Sequence, residues 1–183
     1  MRRVYALEIY RFPTNREAAE ADLLELRQLT RAAGLEFVDG ELHSLRQIHT
    51  HSYIGPGKLE TLKTVFTKQK IDLIVLDAEI KPYQIKNIED FFNIEVADRT
   101  RLILEIFKQR AHSKEGKLQV ALAEAEYEIG RQIGQRGVEL SGLGKGVRGP
   151  GEHIAEKQRR AYRRKIKALR DKLEEVKKVR TSH

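Results

Sequence analysis

"IDLIVLD", residues 71–77, is a near-continuous apolar run, rich in β-branched residues and closed by an acid. A strand with one wet face alternates in polarity, whereas a run that stays apolar must be covered on both sides. That is the condition of an interior strand in a parallel sheet. The segments around it agree. Upstream, "IGPGKLETLKTVFTKQK" (54–70) carries Leu59, Leu62, Val65 and Phe66 at helical spacing. Downstream, "KPYQIKNIEDFF" (81–92) reads as a helix and "IEVAD" (94–98) as a short strand.

Further upstream, "VYALEIY" (4–10) predicts a strand. The stretch from Arg16 to Ala33 predicts a helix with Ala19, Leu23, Leu26 and Leu29 on one face, closed by Gly34 at the stop position. "LEFVDGELHSLRQI" (35–48) predicts an extended segment with a bulge or turn at Gly40. Strands and helices alternating in this order predict an α/β domain over residues 1–98, a small parallel four-stranded sheet with flanking helices.

After Asp98, a plausible helix N-cap, no proline or turn cluster intervenes before Gly134, so one long helix is expected. Leu118, Leu122, Ala125, Ile129 and Ile133 trace its apolar face, with Gly116 and Gly130 as weak points. Beyond Pro150, Ile154, Ala161, Tyr162, Ile166, Leu169, Leu173 and Val176 trace another. Residues 99–183 are thus expected to form a long antiparallel two-helix, coiled-coil-like hairpin with a glycine-rich basic tip at 134–151.

Charge is distributed unevenly. Residues 1–130 hold 19 Lys+Arg against 21 Asp+Glu, a balance of −2, while residues 131–183 hold 16 against 6, a balance of +10. A near-neutral body with a basic extension is an electrostatic layout suited to nucleic acid. The absence of cysteine excludes disulfides and thiolate zinc sites. No apolar run is long enough to span a membrane and no signal peptide is recognisable, so a cytoplasmic protein is expected.

Two glycine-bearing stretches raise the question of phosphate. In "YIGPGKLE" (53–60), Gly55, Gly57 and Lys58 open a helix, and the following apolar strand ends in Asp77 in the manner of a Walker-B strand. A P-loop needs G-x-x-x-x-G-K-[ST], and Leu59 stands where the hydroxyl belongs. A tight turn at a helix start is the simpler reading, with an ATP- or GTP-type phosphate site as the alternative. In "SGLGKGVRGPGE" (141–152), Gly144, Gly146, Gly149 and Gly151 interleave with Lys145 and Arg148, Arg136 lies just before, and no strand precedes them. Glycines there let backbone approach an RNA surface while the cations meet phosphates. Arg159, Arg160, Arg163, Arg164 and Lys167 follow at helical steps of 3 and 4 and form a basic stripe, with Tyr162 among them able to stack on a base or to pack. A purely structural, self-associating hairpin is a further reading of the same helices. His43, His49 and His51 supply too few ligands for a metal, and no catalytic constellation can be proposed from spacing. Asp72, Asp77 and Glu79 flank a strand's carboxyl end, where α/β folds often bind ligands, and structural caps are the simpler reading of them.

Several stretches together resemble the HflX family of translational GTPases: "YIGPGKLE", "IVLDAEIKPYQIKNIE", "VADRTRLILEIFKQRAHSKEGKLQVALAEAEY" and "GVRGPGEHIAEKQRRAYRRKIKALRDKLEEVKK", from about Tyr53 to Val179. The resemblance implies an N-terminal α/β domain and a helical hairpin that precede a GTP-binding domain. It also implies binding to the large ribosomal subunit and its RNA, and a part in separating stalled ribosomes. Gly144, Lys145, Gly146, Arg148, Gly149 and Gly151 would then lie at the RNA-facing tip. "HIAEKQ" (153–158) departs from the "TQLE" expected there. G-x-x-x-x-G-K-[ST] occurs nowhere in the chain. The expectation is therefore a monomeric, non-enzymatic piece without a cofactor, ending before the GTP-binding domain that would act on it in cis and bind GTP and Mg²⁺ in the parent.

Overall fold

The computed structural model describes residues 1–13, 15–134 and 150–181, with the side chains of 133–134 and 150–155 left aside. The chain divides into two compact units, Met1–Ile106 and Phe107–His183.

The first unit is built on strands β1 (Arg3–Arg11), β2 (Glu36–Leu45), β3 (Leu73–Asp77) and β4 (Glu95–Ala97), all parallel, in the order β2-β1-β3-β4. Helices α1 (Arg16–Ala32), α2 (Pro56–Gln69) and α3 (Pro82–Phe92) connect them, and α4 (Arg99–Arg110) follows. The period-two alternation of each strand divides the core in two. Tyr5, Leu7, Ile9, Ile74, Leu76 and Val96 point to one face, under Leu59, Leu62 and Phe66 of α2 and Ile85 and Ile88 of α3. Val4, Ala6, Leu73, Val75 and Ala97 point to the other, under Leu26 of α1 and Leu102 of α4. Burial on both faces is why β1 and β3 read as apolar runs. An edge-to-face contact of Tyr5 with Phe66, ring centres 5.0 Å apart, and a tilted one of Phe66 with Phe92 at 4.9 Å fix the α2–α3 side.

Local signals set the helix ends. The Asn15 side chain accepts from the Glu17 N–H at 2.9 Å and opens α1. Gly34 follows its end with φ 75°, a conformation that costs glycine least. The irregularity in β2 falls at Val38, because Val4 pairs with Phe37 and Tyr5 with Asp39. It is therefore not at Gly40, whose role is clearance. A Cβ there would stand 2.9 Å from the Ala6 carbonyl oxygen and 3.1 Å from Leu23 Cδ1. Asp72 lies at the amino end of β3, not its carboxyl end, where its carboxylate accepts the Arg3 N–H at 2.9 Å.

The single long helix expected after Asp98 is two. Asp98 does start α4, accepting from the Arg101 N–H at 2.9 Å, but α4 ends at Arg110 and α5 runs Lys114–Gly134. The break is Ser113, whose hydroxyl accepts the Gly116 N–H at 2.9 Å and whose carbonyl accepts the Lys117 N–H at 3.0 Å. A serine bonding backbone ahead of it competes with helix continuation and caps a new start.

Helix α6 (Pro150–Thr181) carries Tyr162, Ile166, Leu169, Leu173 and Val176 on its more buried stripe, at alternating steps of 4 and 3. Ala161 is exposed, one residue off that stripe, so it does not belong to the apolar face. Glu126 of α5 meets Arg170 of α6 at 2.7 Å, and Glu115 meets Arg180 at 3.4 Å. No helix among the described residues is long and apolar enough to cross a membrane.

Candidate functional site

Several basic residues of α6 are paired, in two groups. Arg159 and Arg160 are held by Glu156 at 3.8 and 3.2 Å, and Arg170 and Arg180 are paired with acids of α5. Between these groups Arg163, Arg164 and Lys167 are exposed, with no acidic partner among the described residues. Clustered cations that nothing neutralises repel one another, and the same charges are favourable beside a polyanion. Tyr162 sits on the more buried stripe, so its ring packs within the helical unit. Gly151 lies in the first turn of α6, while Arg136, Gly144, Lys145, Gly146, Arg148 and Gly149 lie outside the described residues.

Of the alternative phosphate site, Gly55, Gly57 and Lys58 stay together at the start of α2, and Asp77 does not join them. Glu41 pairs with Leu7 in register and so shares the α2 side of the sheet, where Lys58 meets it at 2.6 Å. Asp77 pairs with Glu8, in line with Val4, Ala6, Leu73 and Val75, and so projects on the opposite side. Lys58 and Asp77 therefore lie on different faces of the sheet. Gly55, the N-cap of α2, lies close under the His49 ring, with the nearest ring atom 3.0 Å from a Cβ built there, and around Gly57 the space is open. His43 sits on the Lys58 side, its pKa lowered by burial and by that lysine. The Asn87 side chain donates to the His51 carbonyl at 2.7 Å. Among the described residues no group of three His, Cys, Asp or Glu is placed to hold a metal ion.

A cleft of ≈ 580 Å³ opens instead at the carboxyl ends of β1 and β3. Glu8, from the strand "VYALEIY", is only 5% exposed there. Its carboxyl is pushed up to about 9 by burial first, then by a hydrogen bond to Asp77 and the charges of Asp77 and Asp22, against the pull of Arg99. Burial beside a second carboxyl favours the neutral form of Glu8. The Arg99 guanidinium spans the other acids, 2.7 Å from Asp77, 2.8 Å from Glu25 and 3.7 Å from Asp22. Tyr53 closes the rim with its backbone at φ 63°, its hydroxyl pKa raised mainly by burial. Glu8, Arg99 and Tyr53 were not singled out by motif. The one local sign was an acid in an otherwise apolar strand.

Residues 20–108 match the family model described as the GTP-binding GTPase N-terminal region, and residues 110–183 match that described as the GTP-binding GTPase middle region. GTPase HflX of Caldanaerobacter subterraneus subsp. tengcongensis is 45% identical over 163 residues, covering 88% of this chain and 38% of that protein. GTPase HflX of Lacrimispora saccharolytica is 40% identical over 166 residues, covering 90% of this chain and 39% of that protein. The chain thus spans less than two-fifths of the length of the curated relatives it matches. A GTP-binding protein from the hyperthermophilic archaeon Sulfolobus solfataricus, solved in complex with GDP, superposes with a TM-score of 0.65 over 97% of this chain and 46% of that one. At 23% identity that likeness speaks for the fold alone. With both regions matched in succession and relatives this similar along most of its length, the chain belongs to the HflX family of GTPases and corresponds to its N-terminal and middle regions.

Proposed function

We propose that this chain is the RNA-binding, ribosome-facing module of an HflX-type translational GTPase, engaging the large ribosomal subunit and serving to split or rescue stalled ribosomes. The observation that carries this reading is the unneutralised run Arg163, Arg164 and Lys167 on α6, within the segment of balance +10. Helices α5 and α6 form an antiparallel, coiled-coil-like hairpin in this reading, with the glycine-rich basic stretch 134–151 as its tip. In its support, the partners of Glu115 and Glu126 run in descending order along α6, as Arg180 and Arg170. Lys145 and Arg148 at the tip meet RNA phosphate, the glycines around them admit close approach, and specificity comes from shape more than from base edges. GTP and Mg²⁺ belong to a separate domain of the longer relatives, which acts on this module in cis; the module itself is a cytoplasmic monomer without enzymatic activity.

Fluorescence anisotropy with a structured fragment of large-subunit ribosomal RNA tests the basic run. Replacing Arg163, Arg164 and Lys167 by alanine should weaken binding and lower the slope of log K against log salt by up to about 2–3, since about 0.7–0.9 is lost per phosphate contact. An unchanged slope would remove these residues from the interface.

A further inference from the structure

We propose that the cleft at the carboxyl ends of β1 and β3 binds an organic cation, an ammonium or guanidinium group that donates hydrogen bonds to Glu8 and Asp77. This goes beyond ribosome binding and rests on no part of it.

Position comes first. The chain leaves β1 to form β2 on one side and later returns to form β3 on the other, so the strand order reverses between β1 and β3. In open parallel sheets the crevice outside such a reversal is where ligands bind. The cleft occupies that place.

The chemistry of the lining specifies the ligand. Glu8, Asp22, Asp77 and Glu79 bring carboxyls to the cleft. Arg99 is committed to Asp77, Glu25 and Asp22, and Arg11 has a partner of its own. Glu8 Oε2 is buried with no protein donor, and facing Asp77 offers only a second acceptor. A buried acceptor without a donor is costly, and the protein meets the need with a retained proton. An N–H from outside replaces that proton. The neutral Glu8 carboxyl gives H⁺ to solvent, the carboxylate accepts from the incoming cation, and the charge in the cleft is unchanged. A bare metal ion fits less well, because no three protein ligands converge among the described residues. A neutral hydroxyl supplies no charge to offset an ionised Glu8 and so cannot displace its proton.

Calorimetric titration of the 183-residue chain with putrescine and with ethylguanidine tests this, at constant ionic strength and pH 7. Two buffers of different ionisation enthalpy count protons. A short peptide amide with one arginine forms a parallel arm: preference for it points to a protein side chain as the natural source, preference for putrescine to a free polyamine. The charged groups facing Glu8 are Asp77 from β3, Asp22 and Glu25 from α1, Arg99 from α4, Arg11 on β1 and Glu79 after β3. With all of these in place, saturable binding should release up to about one proton. Glu8→Gln, which retains a donor for Asp77 and so the fold, should weaken binding about tenfold or more and abolish proton release. Thermal melting of that variant checks its integrity. Heat no larger than that from sodium chloride at matched ionic strength, magnesium chloride acting as strongly as putrescine, or unchanged affinity in Glu8→Gln would each overturn the proposal.

Discussion

Arg99, the first residue of α4, holds Asp77 at the end of β3 at 2.7 Å, and the same guanidinium holds Glu25 of α1 at 2.8 Å. One side chain thus ties the start of a helix to both the sheet and the helix beside it. Arg99 and Asp77 are each less than a third exposed, so solvent screens the contact only in part. Arg99→Met should cost roughly 2 kcal/mol in urea unfolding, because the acids keep their burial and lose their cation. Arg99→Lys should recover only part of this, since an ammonium does not reach two carboxylates as a planar fork does. A Met variant within about 0.5 kcal/mol of the parent would mean the cluster is already solvated.

Glu8 makes stability depend on pH in an unusual direction. Its folded carboxyl titrates near 9, above the ordinary value of 4.5, so the folded state binds the extra proton between those limits. The group's contribution is therefore fully present below pH 4.5 and declines as pH rises toward 9, at a limiting slope of about 1.4 kcal/mol per pH unit. Glu8→Gln mimics the protonated form and should lack this decline. Unfolding free energies measured from pH 5 to 9 should show the variant gaining on the parent with each step; parallel curves would place Glu8 in a wetter setting.

Gly40 and Gly57 make a matched pair. A methyl at residue 40 meets backbone, the Ala6 carbonyl oxygen at 2.9 Å, which cannot yield without parting β1 from β2. Gly40→Ala should destabilise by about 1–3 kcal/mol. At Gly57, early in α2, nothing lies within 4 Å, so Gly57→Ala should be neutral or stabilise by up to about 1 kcal/mol. Thermal melts of the two variants should shift in opposite directions or, at the least, differ by several degrees.

Ser113→Ala removes the hydroxyl that accepts the Gly116 N–H. The start of α5 should lose about 1 kcal/mol, seen as faster amide hydrogen exchange at Gly116 with little change in the sheet. Protection unchanged at Gly116 would show that the Ser113 carbonyl bond to Lys117 suffices.

The sheet was legible because β1 and β3 are covered on both faces, and Ile74, Val75 and Leu76 leave no polar alternation to interpret. Asp98 as a cap was legible because its side chain acts within its own turn. The break at Ser113 is not legible in the sequence, because a lone serine among good helix formers is a weak stop and its effect depends on which backbone groups it reaches. A glycine that breaks the alternation suggests a bulge or turn at Gly40, whereas the register places the irregularity at Val38 and makes Gly40 a matter of clearance from Ala6. The Glu8–Asp77–Arg99 cluster could not be read locally. It exists only through strand register and the packing of α4, which join residues far apart in sequence. For the same reason Lys58 and Asp77, which look like parts of one site along the chain, face opposite ways.

The measurement that bears most directly on the account is co-sedimentation of the chain with purified large ribosomal subunits across a salt series, beside a variant carrying Lys145→Ala and Arg148→Ala. With an RNA-binding tip, the parent should pellet with the subunit at physiological salt, the double variant should do so much less, and the difference should persist where non-specific attraction has been screened. Equal pelleting of both, lost together as salt rises, would contradict it and reduce the basic helix to a general polyanion patch.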